Sequence, residues 1–402
     1  MRKASSYFQE KRMKFWIVWV ALFSMSAFAE EPLSVFTGTL GKANVVVELD
    51  LNKPQEVTGR YFYQKYRLDL PLSGTLKNNE LSLTEGADDF DDTPHPSLTL
   101  DHDPQGNWQG TWTDPKGKTL PISLTPAVLP AKGDDSYPGS LLHSDPYEYL
   151  RLSGINLVEG KQQDFMGYTL QWWSEPQSNI SLFEVVSGYP PKQLEAINTR
   201  LRARLWQEVI SWHACMLGAT RFGEGDYSQT VTPTYMSADV VSVSLFTNYD
   251  CGGAHPDFGE SPINLNAKNA EPLTLEDVLW VGEGKPFHYS EAEDRAAPGA
   301  SDVDFDTFAA YREKKFAPWL VKEMTVAHPK EMVKPTEDSD DDCDYSDAQV
   351  WHFPAWYLTA KGIYFGPSFA RVMRSCEGPD WSILPWSAID GHPGNVKLHL
   401  PQ

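Results

Sequence analysis

Asn248 to Leu279 reads NYDCGGAHPDFGESPINLNAKNAEPLTLEDVL, and these residues decide the fold of the second half of the chain. The run that leads into it, Val240 to Tyr249 (VVSVSLFTNY), alternates and is rich in β-branched and aromatic residues, which predicts a strand. Gly252 and Gly253 permit positive φ where the chain must reverse. Pro256 fixes its own φ and pushes His255 into an extended conformation. Ile263, Leu265 and Ala267 then alternate as a return strand. Thr274 is a good helix N-cap, and Asp277 three residues on completes a box-like start. The predicted order is strand, glycine turn, strand, turn, helix.

Upstream, Pro190 and Pro191 suit the start of a helix running to about Met216. Leu194, Ile197, Leu201, Leu205, Val209 and Trp212 recur at spacings of three and four, so one face is apolar and docks on a sheet. Before it, residues 149–157, 167–173 and 179–187 predict strands. Downstream, residues 302–324 predict a helix that Pro318 breaks. Residues 353–359, 362–365 and 381–385 predict the last strands.

The order of elements, with AHP after the glycines and LTLEDVL after the return strand, resembles a domain of unknown function. That domain occurs in the extracellular part of the lysozyme-sensing anti-sigma factor RsiV and beside the catalytic domain of the peptidoglycan deacetylase PdaC. The resemblance spans residues 180–390 and includes the helix ending near Cys215, the GGAHP hairpin and the strand Gly362-Ile363-Tyr364-Phe365. It implies a secreted α+β module, in one relative a receptor for lysozyme. Neither a sigma-binding segment nor a deacetylase domain is recognisable, so signalling and deacetylation are not carried over.

The first half reads differently. Segments VFTGTL, NVVVELDL, VTGRYFY, LSLTE, SLTLD and WQGTWTD, between Leu33 and Leu124, alternate or are β-branched, and Asn78-Asn79 and residues 114–117 punctuate them as turns. Gly59 and Gly110, each two residues before an aromatic, read as glycine-rich strand ends. The expected architecture is α+β overall: an N-terminal antiparallel β barrel or sandwich over residues 30–126, a Pro/Gly/Asp-rich linker over 127–139, and an α+β domain over 140–402 with a mixed or antiparallel sheet and packed helices.

Residues 1–29 predict a signal peptide. Lys11, Arg12 and Lys14 precede an apolar run from Phe15 to Phe28, and Ala27-Phe28-Ala29 is an A-x-A-like cleavage site before Glu30. The run falls short of the ~20 apolar residues of a membrane span, so no span is expected in the mature chain and the location is periplasmic or secreted. The 402-residue chain carries a formal charge of −21. Loss of residues 1–29, with five basic side chains against Glu10, takes it to −25. This argues against nucleic acid and anionic membranes as partners and favours encounter with cationic proteins. Acidity for solubility alone explains the same number. The four cysteines, Cys215, Cys251, Cys343 and Cys376, predict two disulfides in an exported chain. Three connectivities exist, and Cys215–Cys251 with Cys343–Cys376 is favoured because each pair ties neighbouring elements.

Chemistry-bearing motifs are sparse. There is no GxSxG elbow, no HExxH and no phosphate-binding glycine loop. No catalytic residue, metal ligand or cofactor is assigned, and whether the chain is an enzyme stays open. His255, Gly253 and Asp257 in the turn and Trp356 on a late strand are the ligand-binding candidates. A histidine in such a turn otherwise only hydrogen-bonds backbone. Trp172, Trp173, Trp351, Trp356, Trp381 and Trp386 could form a binding platform, though strand-borne tryptophans usually fill cores. The acidic run 337–347 and the trio Asp302, Asp304 and Asp306 fail the EF-hand pattern and read as solvated faces. Three functional readings remain: a non-catalytic binding protein that captures or inhibits a basic cell-wall hydrolase such as lysozyme, a peptidoglycan- or carbohydrate-binding protein or enzyme, and a structural envelope protein.

Overall fold

Eight strands run up and down from Ser34 to Pro126: β1 (Ser34–Leu40), β2 (Ala43–Asp50), β3 (Val57–Tyr63), β4 (Asp69–Lys77), β5 (Glu80–Glu85), β6 (Ser97–His102), β7 (Trp108–Thr113) and β8 (Thr119–Pro126). Each pairs antiparallel with the next, and β8 returns to β1 from Phe36↔Pro126 to Leu40↔Ile122, so the sheet closes into a barrel. The computed structural model describes residues 33–86, 93–220, 223, 225–289, 301–335 and 343–399. Residues 1–29, expected to be a signal peptide, and residues 337–342 of the acidic run lie outside that set.

Alternation fills the barrel. Val45, Val47 and Leu49 of β2, Leu81 and Leu83 of β5 and Leu98 and Leu100 of β6 share one core with Tyr61 and Trp108. Asn78 and Asn79 both take positive φ (51° and 66°), as the two-residue turn between β4 and β5 requires. Gly59 and Gly110 are not strand ends. They sit within β3 and β7, where a Cβ would strike the carbonyl oxygens of Glu48 and Thr99 on neighbouring strands. Such glycines let the strands coil into closure.

After Pro126 come α1 (Tyr137–Ser140) and α2 (Pro146–Leu152). The second replaces the strand expected at 149–157. Asp145 caps it, accepting from Glu148 N at 3.0 Å, and Pro146 opens the first turn. This helix fastens the barrel wall to the α+β portion of the chain. Arg151, fully buried, donates from Nη2 to both oxygens of Asp69 on β4 (2.7 and 2.6 Å) and from Nε to Glu148 (2.8 Å). Tyr147 donates to Asp69 at 2.6 Å, and Arg60 on β3 joins Glu48 at 2.8 Å. Arg151 also contacts Nδ1 of the buried His213 at 3.2 Å. Burial, reinforced by Arg151, Arg60 and Arg67, pushes His213 down to about 2, so it is neutral.

Strands β9 (Val158–Phe165), β10 (Tyr168–Ser174) and β11 (Ser181–Ser187) form one antiparallel sheet. Helix α3 (Pro191–Ala219) packs Ile197, Leu201, Leu205 and Val209 into a core with Leu170, Phe183 and Val185 of that sheet and Val241, Val243 and Leu245 of the next. The second sheet centres on β13 (Val240–Asp250). Its neighbours are β12 (Asp226–Met236) on one side and β14 (Asp257–Glu260) and β15 (Ile263–Asn266) on the other. The expected return strand is β15, and β14 is a further strand that precedes it across Ser261-Pro262. Helix α4 (Leu275–Val278) follows, with the Asp277 carboxylate accepting from Thr274 N and Oγ1 at 2.9 and 3.0 Å.

Pro318 does not break the later helix. Helices α5 (Phe305–Tyr311) and α6 (Ala317–Ala327) are continuous through a π turn at Arg312–Phe316. The wide turn lets a proline enter the first turn of α6 without a carbonyl in its way. Asp304 caps α5 through Thr307 N at 2.8 Å, which accounts for that acidic residue without a metal. Strands β16 (Ala355–Thr359), β17 (Gly362–Gly366) and β18 (Ile383–Pro385) form a third antiparallel sheet, and α7 (Trp386–Ile389) ends the elements. Phe316, Leu320 and Met324 meet Trp351, Leu358, Phe365 and Leu384 in a second core.

Candidate functional site

Three segments far apart in sequence converge beside the glycine turn. The first is the hairpin of β13 and β14, whose register places Phe246 opposite Glu260 and Asn248 opposite Phe258. With a side-chain period of two, Ser244, Phe246, Phe258 and Glu260 share one face. The second is the start of the third sheet, where Ala355 pairs with Gly366. A buried polar hub holds it there: Ser242 Oγ donates to Asn264 Oδ1 (2.6 Å) and accepts from Leu358 N (2.9 Å), and Asn264 Nδ2 donates to Trp356 O (2.9 Å). The third is a 3₁₀ turn at Arg371–Cys376. Disulfides tie down two of the walls. Cys215–Cys251 fastens the end of β13 to the end of α3, and Cys343–Cys376 fastens the 3₁₀ turn.

Between these walls lies a groove of about 360 Å³, lined by Phe246, Phe258, Glu260, Phe353, Gly366 and Arg374 among others. Arg374 is fully used. It pairs with Asp257, donates to Phe258 O at 2.6 Å, meets Glu377 at 3.1 Å and lies 4.7 Å over the Phe258 ring. Glu260 is not. Its one polar contact among the described residues is with Ser244 Oγ at 3.5 Å, and no described cation lies within ion-pair distance. Burial pushes its carboxyl up to about 7, with the Ser244 contact opposing weakly. Tyr364 and Tyr357 are raised first by burial and then by the Glu260 charge, and their rings stack at 4.4 Å. At Gly366 a Cβ would stand 3.1 Å from Glu260 Oε2, so the missing side chain makes room for the carboxylate.

None of His255, Gly253, Asp257 and Trp356, singled out from sequence, lines this groove. Asp257 holds Arg374 at its edge. His255 is exposed on the turn, where its Nε2 accepts from Arg371 Nε (2.7 Å) and its Nδ1 lies 2.9 Å from Pro256 O. Arg371 Nη2 also lies 3.2 Å from Nδ1, so the guanidinium faces the edge of the ring. Gly253 is exposed at the tip, and the positive φ of the turn belongs to Gly252 (80°), not to Gly253. Trp356 packs against the second core. The other tryptophans make no shared platform: Trp351 and Trp386 are buried, Trp381 packs with them, and Trp172 and Trp173 pack against the α3 core. Sequence reasoning passes over Glu260, Phe246, Phe258 and Arg374. The signal that could find them is an acidic residue in phase with two phenylalanines across a glycine turn.

No family model matches the chain, and no curated protein matches it. Four solved chains match in structure. One is the crystal structure of a member of the DUF3298 family from Bacteroides fragilis, 13% identical, covering 60% of this chain and 93% of that one at a TM-score of 0.35. DUF3298 is the domain found in RsiV and PdaC. At that score the likeness carries no argument, and the site stands on its own residues. No helix of the described residues is long and apolar enough to cross a membrane, and the two disulfides fit an oxidising compartment.

Proposed function

We propose that this chain is an exported, non-catalytic binding protein that captures a cationic protein, with basic cell-wall hydrolases such as lysozyme as the partner class. The observation that carries the reading is Glu260: a carboxylate without a counter-ion among the described residues, set in a phenylalanine-walled groove of a chain with formal charge −21. A half-buried acid without a counter-ion is unfavourable in the free protein, and a basic side chain from outside relieves it. Surface-binding kinetics of the mature chain with lysozyme and with envelope hydrolases test this. Raising salt from ~0.05 to ~0.5 M shortens the Debye length about threefold, so the association rate is expected to fall steeply. A salt-insensitive rate, or no binding to any basic hydrolase, refutes the reading.

A second reading draws on the same carboxyl. Glu260 held near pH 7 and Glu377 in one groove are the groups a glycan-cleaving or glycan-binding protein would use. Muropeptide release by the purified chain, or binding to sacculi with no protein partner, would favour it.

A further inference from the structure

Arginines inside this protein repeat one arrangement. Arg151 lies 4.6 Å over the Phe62 ring and pairs with Asp69 and Glu148. Arg312 lies over Phe308 and Phe316 at 5.0 and 4.7 Å and pairs with Glu276 at 2.9 Å. Arg374 lies over Phe258 and pairs with Asp257 and Glu377. Each is a guanidinium between an aromatic face and a carboxylate. The groove holds a further carboxylate, Glu260, beside Phe246 and Phe353, and among the described residues no arginine pairs with it.

We infer that the groove is a receptor for a single arginine side chain of the protein partner, its guanidinium pairing with Glu260 between phenylalanine walls. A planar, weakly hydrated guanidinium suits this setting better than an ammonium. It stacks on a ring face while its edge donates two hydrogen bonds to one carboxylate. The surface continues past the groove. Phe353 stacks on Phe305 at 6.0 Å, and the two are 47% and 51% exposed. Tyr289 adjoins Phe305 at 5.7 Å. A half-exposed aromatic shelf against a charged pocket has the composition of a binding hot spot. The partner's arginine is therefore flanked by an apolar residue that lies on the shelf. The inference rests on the reading that a basic protein docks at this groove, and it narrows that reading to one residue type.

The test uses the full mature chain and two kinds of probe. The first is the pair Ac-Leu-Arg-NH2 and Ac-Leu-Lys-NH2, titrated by NMR. The arginine peptide is expected to bind at least threefold more tightly than the lysine peptide. Glu260→Gln is expected to weaken it about tenfold, and Glu195→Gln, on the exposed surface of α3, to leave it unchanged. Equal affinity for the two peptides, or no change in Glu260→Gln, overturns the inference. The second probe is lysozyme by surface-binding kinetics. If lysozyme binds wild type and Glu260→Gln alike, the groove inference fails while capture of a basic protein stands. If the arginine peptide binds through Glu260 and no basic hydrolase does, the groove inference stands and the proposed partner class falls.

Discussion

Replacing Glu260 by Gln should stabilise the protein by an amount that grows from about pH 4.5 and is complete near pH 7. Burial raises this carboxyl from 4.5 to about 7 with no described cation to offset it. Between those two values the folded chain holds a proton that the unfolded chain has released. Stability therefore declines as pH rises from about 4.5 to 7 and is flat above, which is opposite to the behaviour of a salt-bridged acid. The gap corresponds to a ceiling of about 3 kcal/mol. The groove is open to solvent on one side, and screening there reduces the expected effect to about 1–2 kcal/mol. Glutamine keeps the shape and the Ser244 contact without the charge. In urea unfolding with disulfides intact, followed by tryptophan fluorescence, the variant should gain about 1–2 kcal/mol at pH 8. At pH 4.5 the gain should shrink to a few tenths. A gain of equal size at both values would mean that the charge is irrelevant and packing decides. A loss at pH 8 would mean that an unseen cation already pairs with Glu260, and the binding argument would collapse with it.

Two further substitutions probe what holds the groove's surroundings in place. Arg151→Met leaves Asp69 and Glu148 buried with Arg60 as their remaining cation, at 3.7 and 3.3 Å, and the Tyr147 hydroxyl on Asp69, and should destabilise by about 3 kcal/mol in the same urea assay. A loss under about 1 kcal/mol would show that the barrel does not depend on this contact. The double variant Cys215→Ala, Cys251→Ala opens a loop with a separation of 36 residues and should cost about 3–4 kcal/mol on the chain-entropy account. Unchanged unfolding would place the strength of that hairpin in β-pairing alone.

Much of the architecture is legible because period-two and period-3.6 patterns act locally. Six of the barrel strands announce themselves by alternation or by β-branched residues. Strands β4 and β8 do not, since each carries a proline (Pro71 and Pro121) that demotes a strand on propensity. Helix α2 reads as a strand because Leu150 and Leu152 alternate, while its true signal, Asp145-Pro146, lies just upstream of that window. The π turn before Pro318 is not legible, since no local residue announces it. The groove is only half legible. The turn and its cysteines are visible in sequence, and so are His255 and Asp257. Glu260 gains its meaning from a register with Phe246 and from Gly366, 106 positions away in sequence. Those are facts of pairing, which composition does not carry.

The placement of Glu260 also bears on how a partner would be held. His255 and Gly253 sit on the exposed turn, where ordering on binding has an entropic cost. Glu260 sits on a strand paired to the centre of its sheet, with the turn fastened by Cys215–Cys251 and the opposite wall by Cys343–Cys376. Its carboxylate is positioned before any ligand arrives, so little of the pairing energy is lost to reorganisation. The acidic charge spread over the chain acts differently, at a distance and through screening ions, and on the proposed reading would govern how often a basic protein arrives. Arrival and retention are thus assigned to different residues. Salt acts mainly on the first, while a single neutral substitution at Glu260 acts on the second.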